Sequence, residues 1–225
     1  MQRVVIPELL DTDAGSPEEV ADSLADLRWV NRWFGGVATT CSMIERVARG
    51  ENGNQRLSFL EVAAGTGDTP AATRERMREQ GVQLDVTLLD RAKTHLNHGN
   101  RSVVGDALAL PFADNTYDLV SCGLFTHHLS PGEIVQFVSE GLRICRKAVL
   151  INDLVRDPMH LALAYAGRIF YKSRLSKHDG PASVRRSYTL AEMRELLAKT
   201  PAAKVEVRKH YMYRMAAIVW KNASS

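Results

Sequence analysis

Leu60-Glu61-Val62-Ala63-Ala64-Gly65-Thr66-Gly67 is the stretch on which the reading of this 225-residue chain turns. The apolar run from Ser58 to Ala63 has the length of a strand, and it breaks into two glycines just before Asp68-Thr69-Pro70. Proline is tolerated in the first turn of a helix, so the spacing predicts a helix from Pro70 with Thr69 as its cap. Glycines at a strand-to-helix turn let the backbone bend sharply and approach a ligand, toward which the free helix N–H groups point. A nucleotide-like ligand is implied.

Asp90 narrows the choice. It closes the run Leu84-Asp85-Val86-Thr87-Leu88-Leu89, where an acidic residue at the end of a second strand can accept hydrogen bonds from both hydroxyls of a ribose. That placement suits NAD and S-adenosylmethionine equally. The loop itself separates them: a dinucleotide usually asks for a third glycine three residues after the second, and this chain has Pro70 there. Glu61 would also repel a pyrophosphate, whereas it would attract a ligand carrying an ammonium and a sulfonium.

The surrounding sequence supplies the frame. Ser16 with Glu19, Ser130 with Glu133 and Thr189 with Glu192 have the spacing of capping boxes, two of them followed by proline. They predict helices over about 17–30, 131–146 and 190–198. Gly81, in Gln80-Gly81-Val82, suits the left-handed end of another helix. Apolar runs at Ser58 to Ala63, Leu84 to Leu89, Asp118 to Gly123 and Ala148 to Asn152 read as strands joined through helices, hence as a parallel sheet. Val205 to Tyr211 and Arg214 to Trp220 are too close together for a parallel crossover and predict a hairpin.

With these positions in hand, Glu61 to Gly67 resembles the first motif of class I S-adenosylmethionine-dependent methyltransferases, with Ala63 where that family most often has glycine. The resemblance extends through Asp90, Asp106-Ala107 and the segment Leu110 to Val120, covers Leu57 to Asp153 well, and comes nearest to quinone-biosynthesis-like and natural-product enzymes. It implies a Rossmann-like, seven-stranded, mostly parallel α/β sheet with one antiparallel strand near the C-terminus, helices on both faces and a helical N-terminal lid. The expected organisation is a cap over 1–50 and one domain over 51–225, with a substrate-lid insertion at about 154–188. The cofactor implied is S-adenosyl-L-methionine, leaving as S-adenosyl-L-homocysteine. Glu61, Ala63, Gly65 and Gly67 would line it, Asp90 with Arg91 beside it would hold the ribose, and Asp106 and Ala107 the adenine amino group. Arg32, in the aromatic segment Arg28 to Gly36, is placed to meet its carboxylate.

Methyl transfer is an in-line displacement, so an enzyme mainly orients the nucleophile and excludes water. A phenol, with a pKa of about 10, still gains from a base. His127 and His128 follow the fourth strand at its carboxyl end, where ligands of such sheets sit, and either could serve. Each could equally pack or cap the next helix. Asp153, at the end of the fifth strand, is a second candidate on the acceptor side. Trp33, Phe125, Tyr165 and Tyr188 are the aromatic candidates for the acceptor walls.

Charge and composition exclude other classes. A formal net charge of +3 is too small to imply a polyanionic partner, although the acidic N-terminus contrasts with a basic stretch from Arg168 to Arg186. Both read as solvated faces, with a basic lid over an anionic substrate as the sharper alternative. No Asn-Pro-Pro-Tyr motif, cysteine nucleophile or RNA-binding appendage is present, so no nucleic-acid partner is expected. Cys41, Cys122 and Cys145 lack the paired spacing of zinc or redox sites, so no metal is expected and the thiols read as reduced, with Cys122 and Cys145 buried. No apolar run approaches the roughly 20 residues a membrane span needs. The expectation is a cytoplasmic monomer or homodimer methylating a small, aromatic molecule. The hydroxyl of a phenolic or polyketide-like compound leads, with carbon methylation of a quinol precursor as the near alternative and an RNA or protein methyltransferase as the distant one.

Overall fold

A computed structural model describes residues 1–12, 14–49, 55–91 and 101–222. Seven strands form one sheet: β1 (Gln55–Val62), β2 (Val82–Asp90), β3 (Arg101–Val104), β4 (Tyr117–Gly123), β5 (Cys145–Leu154), β6 (Lys204–His210) and β7 (Arg214–Trp220). Their spatial order is β3-β2-β1-β4-β5-β7-β6. β7 alone runs against its neighbours, pairing antiparallel with both β5 and β6. The expected hairpin and the single antiparallel strand are both present.

Strand alternation sorts the core into two layers. Leu60 and Val62, Val120 and Cys122, and Val149 and Ile151 face a cluster completed by Ile134, Phe137 and Val138 of α4 (Pro131–Ile144) and by Met193 and Leu197 of α7 (Leu190–Leu197). Leu57, Phe59, Leu119, Ala148 and Leu150 face the other way, against Met43, Ile44 and Val47 of α2 (Gly36–Ala48) and Met77 of α3 (Asp68–Glu79). All three cysteines are free and buried.

The capping boxes at Ser16, Ser130 and Thr189 are all formed, and they start α1 (Pro17–Trp33), α4 and α7. Gly81 has the left-handed φ of +81° expected after α3. The start of α3 differs from the sequence expectation. It begins at Asp68, with Gly67 as N-cap at φ +75° and no side-chain cap, so Thr69 lies inside the first turn. The chain turns helical as soon as it leaves the left-handed conformation at Gly67. Asp68 is fixed instead by Thr66 Oγ1 (2.6 Å) and by Arg28 Nε (2.9 Å).

After β5 the chain forms α5 (Pro158–Ala166), a 3-10 turn (Gly167–Phe170) and α6 (Arg174–Arg186), which stand over the carboxyl ends of the strands together with α1. The acidic N-terminus and the basic insertion, read from sequence as two solvated faces, meet one another. Asp179 accepts the backbone N–H groups of Leu9 (2.8 Å) and Leu10 (3.0 Å), Asp26 accepts those of Lys172 and Ser173, and Glu19 pairs with Arg174. The first dozen residues thereby become a strap, anchored further by Arg3, which donates to the carbonyls of Arg186, His127 and Leu129. Among the described residues no helix is long and apolar enough to cross a membrane.

Candidate active site

The carboxyl ends of β1, β2, β4 and β5, with α1 and the insertion, enclose one cavity of about 1030 Å³. Its floor at one end is the glycine loop. Gly65 sits at φ +52° with nothing within 4 Å of where a Cβ would project, so its backbone is open to the cavity. Gly67 is required for a different reason: a Cβ there would meet Leu88 Cδ1 at 2.5 Å, on top of the left-handed φ. Asp90 Oδ2 accepts the Gly65 N–H at 2.8 Å, which ties the end of β2 to the loop.

Glu61, Ala63, Gly65, Asp90, Arg91, Asp106 and Ala107, seven of the cofactor-side positions expected from sequence, line this end together. Gly67 lies beneath the surface, against Leu88, and shapes the loop without facing the space. Burial pushes the Glu61 carboxyl up to about 7, and the Gly123 N–H opposes that rise only in part. A cationic ligand above it would draw the group toward carboxylate. Arg32 is the exception on this side. It is exposed over the Trp33 ring, at 5.8 Å, and it is Arg28, one turn earlier in α1, that reaches the wall, bridging to Asp68.

The other end is apolar and aromatic, lined by Leu27, Trp29, Phe34, Phe125, Ile169, Phe170 and Tyr213, with His127 and His128 beside them. Phe125 is on this cavity wall. Trp33 is 62% exposed and points away. Tyr165 faces a separate basic groove of about 700 Å³ with Arg168, Lys172 and Arg185, and Tyr188 is buried, its hydroxyl donating to the Leu129 carbonyl at 2.7 Å beneath Arg3. These three aromatics do not line the main cavity. Composition marks such residues as suitable for a flat ligand but carries no information on which side of a short helix or turn each one will face.

His127 is the side chain most firmly set in this end. Its Nδ1 lies 2.6 Å from Asp153 Oδ1, and Asp153 Oδ2 accepts the Thr126 hydroxyl (2.6 Å) and the His127 backbone N–H (3.0 Å). Asp153 is itself 2% exposed and stands behind the imidazole, not on the cavity wall. On the cavity side, Glu8 from the strap brings Oε1 to 3.3 Å from His127 Nε2. Burial opposes a charged imidazole, but the two carboxylates prevail and push His127 up to about 10. Burial likewise would raise Asp153, yet the His127 charge and the Thr126 hydroxyl hold it well below the usual carboxylate range. His128 is more exposed, with Nδ1 3.1 Å from Asp11 and Nε2 3.9 Å from Glu8. Glu8, His127 and His128 present one oxygen and two nitrogens within 4.8 Å of one another.

Three wall residues were not singled out by sequence. Glu8 arrives from the far end of the chain, and no local pattern announces it. Asn152 donates to Gly36 O and Thr40 Oγ1, leaving Oδ1 buried and unpartnered. Arg214 left a signal, an arginine opening an otherwise apolar strand. It is 1% exposed, donates to Phe34 O and Asn31 Oδ1, and keeps Nη1 unpartnered at the cavity wall.

Residues 59–148 match the family described as "Methyltransferase domain". Among solved structures, the plantazolicin methyltransferase BpumL, in complex with a triazolic desmethylPZN analog and SAH, is 14% identical with a TM-score of 0.66, over 96% of this chain and 95% of that one. The citrinin polyketide synthase CMeT domain is 13% identical with a TM-score of 0.57, over 84% of this chain and 52% of that one. A SAM-dependent methyltransferase from Aquifex aeolicus is 14% identical with a TM-score of 0.53, over 80% and 88%. At these identities the likeness is one of fold. No curated protein matches the chain.

Proposed function

We propose that this chain is a class I S-adenosylmethionine-dependent methyltransferase and that it transfers the cofactor's methyl group to a small organic acceptor, the hydroxyl of a phenolic or polyketide-like compound. The observation that carries this reading is the His127–Asp153 pair opening into an aromatic chamber continuous with the glycine loop. The cofactor would lie over Gly65 with its ribose toward Asp90, its adenine toward Asp106 and Ala107, and its ammonium and sulfonium toward Glu61.

The chemistry follows from the charges. With its proton affinity raised to about 10, His127 is matched to a phenol of about the same pKa, so a proton can be shared between them at little cost. The Glu8 carboxylate occupies the oxygen position that an acceptor phenolate would take in front of Nε2. The acceptor hydroxyl displaces it and passes its proton to the departing Glu8 carboxylate, the imidazolium stabilises the phenolate so formed, and the pair holds that oxygen in line with the methyl group, whose bond to sulfur breaks as the new carbon–oxygen bond forms. Arg214 Nη1 supplies a second fixed donor, suited to a carbonyl or further oxygen on the ligand.

The test is incubation with methyl-labelled S-adenosylmethionine and a panel of phenols and quinols. Label on oxygen of at least one phenol supports the reading. Label on ring carbon moves the assignment to carbon methylation, and no transfer to any of them overturns the acceptor class.

A further inference from the structure

We infer that Glu8, His127 and His128 form a binding site for a divalent transition-metal ion of the zinc class, built where the N-terminal strap meets the end of β4. The ion's use in catalysis would rest on the acceptor reading above, but its binding would not. Three observations point to it.

The donors are of the right kind and are aimed together. Two imidazoles and one carboxylate suit zinc and its borderline neighbours, and they are poor hosts for magnesium or calcium, which take oxygen ligands. A tetrahedral ion about 2.1 Å from each donor needs donor atoms roughly 3.4 Å apart. Glu8 Oε1 and His127 Nε2 are already 3.3 Å apart, and Glu8 Oε2 and His128 Nε2 are 3.9 Å apart. One donor atom from each of the three residues lies within 4.8 Å of the other two, so coordination would draw His128 inward.

Both imidazoles are also held from behind. His127 Nδ1 is 2.6 Å from Asp153, and His128 Nδ1 is 3.1 Å from Asp11, so each ring turns its Nε2 toward Glu8. A carboxylate on the far nitrogen is the arrangement that fixes tautomer and ring orientation in metal-bound histidines.

Finally, Glu8 Oε1 is buried and is met by His127 Nε2 at 3.3 Å, with Arg186 Nη1 no nearer than 3.9 Å. Glu8, Asp11 and Asp153 place three carboxylates around the two imidazoles, and a divalent ion would take the place of the proton that otherwise sits between His127 Nε2 and Glu8. All three residues line the chamber, so a tetrahedral ion held by them would keep a fourth position for an oxygen of the acceptor.

The experiment is direct metal titration of chelator-stripped full-length protein, by calorimetry with Zn²⁺ and by visible absorption with Co²⁺, without acceptor. One ion per chain is expected, with a cobalt spectrum of low coordination number and no uptake of Mg²⁺. His128→Ala and Glu8→Gln, each checked for an unchanged melting transition, should weaken binding at least about tenfold. His178→Ala, at an exposed histidine outside the cluster, should leave it intact. Absence of one-to-one binding overturns the site, as does binding that survives both cluster substitutions. Methyl transfer by protein that never binds metal would retain the acceptor reading and sink this one.

Discussion

His127 Nδ1 stands 2.6 Å from Asp153 Oδ1, at the junction where the end of β4 meets the end of β5, while its Nε2 faces the cavity. One nitrogen is fixed by the sheet and the other is offered to whatever enters. Asparagine at 127 should therefore lower kcat for the accepted phenol about 10²-fold or more while leaving the affinity for S-adenosylmethionine nearly unchanged. An equal loss in cofactor affinity would place the residue on the wrong side of the cavity.

The same pair gives a pH signature. His127 is raised in the folded state above its ordinary 6.5, so its contribution to stability is complete below about 6.5 and declines as pH climbs toward about 10. Asp153 is depressed, so its contribution is complete above its ordinary value near 3.8 and is lost as pH falls below that. Melting temperatures of the wild type should decline between pH 7 and 10. In His127→Asn that slope should flatten, on top of a lower overall stability from the unpaired Asp153 charge. Parallel slopes in the two proteins would contradict the charge assignment.

Glu61 predicts a trade between stability and binding. A buried carboxyl raised to about 7 prefers its protonated form, so ionisation between about pH 4.5 and 7 costs the ligand-free protein up to roughly 3 kcal/mol at pH 8. Glu61→Gln should raise the melting temperature at pH 8 without ligand and weaken S-adenosylmethionine at the same pH by at least about tenfold. In the wild type, affinity should rise from pH 6 to 8 as the carboxylate forms. Calorimetry at the two pH values checks both, and a glutamine variant that binds as tightly as wild type refutes the role.

The two loop glycines should respond differently to alanine. Gly67→Ala meets Leu88 and a left-handed φ together and should cost about 2–4 kcal/mol of stability. Gly65→Ala has room for its Cβ and should cost about 1–2 kcal/mol, yet that Cβ projects into the cavity and should reduce cofactor affinity more than stability. Chemical denaturation paired with cofactor titration separates the two effects.

How much of this was legible in the sequence follows the reach of each interaction. The capping boxes at Ser16, Ser130 and Thr189 are contacts over three residues, and they located their helices to within a few positions. The cofactor-side cluster was legible because strand ends in a parallel sheet meet on one edge, bringing Glu61, Gly65, Asp90 and Asp106 together once the strands are placed. The start of α3 was misjudged because Thr69 is a good cap by composition, whereas the left-handed turn at Gly67 sets the boundary. Trp33, Tyr165 and Tyr188 lie off the main cavity, a placement their composition does not announce because an aromatic residue suits a core, a surface groove and a ligand wall equally. Glu8 was invisible because its partners lie at the other side of the molecule, and the pairing of strap with insertion needs the fold before it can be seen.

The most direct test of the whole account is a crystal structure with S-adenosyl-L-homocysteine bound. The account predicts ribose hydroxyls on Asp90, the adenine amino group at Asp106, and the sulfur directed at the space in front of His127 Nε2. A homocysteine sulfur turned away from His127, or a ligand seated elsewhere than over Gly65, would contradict it.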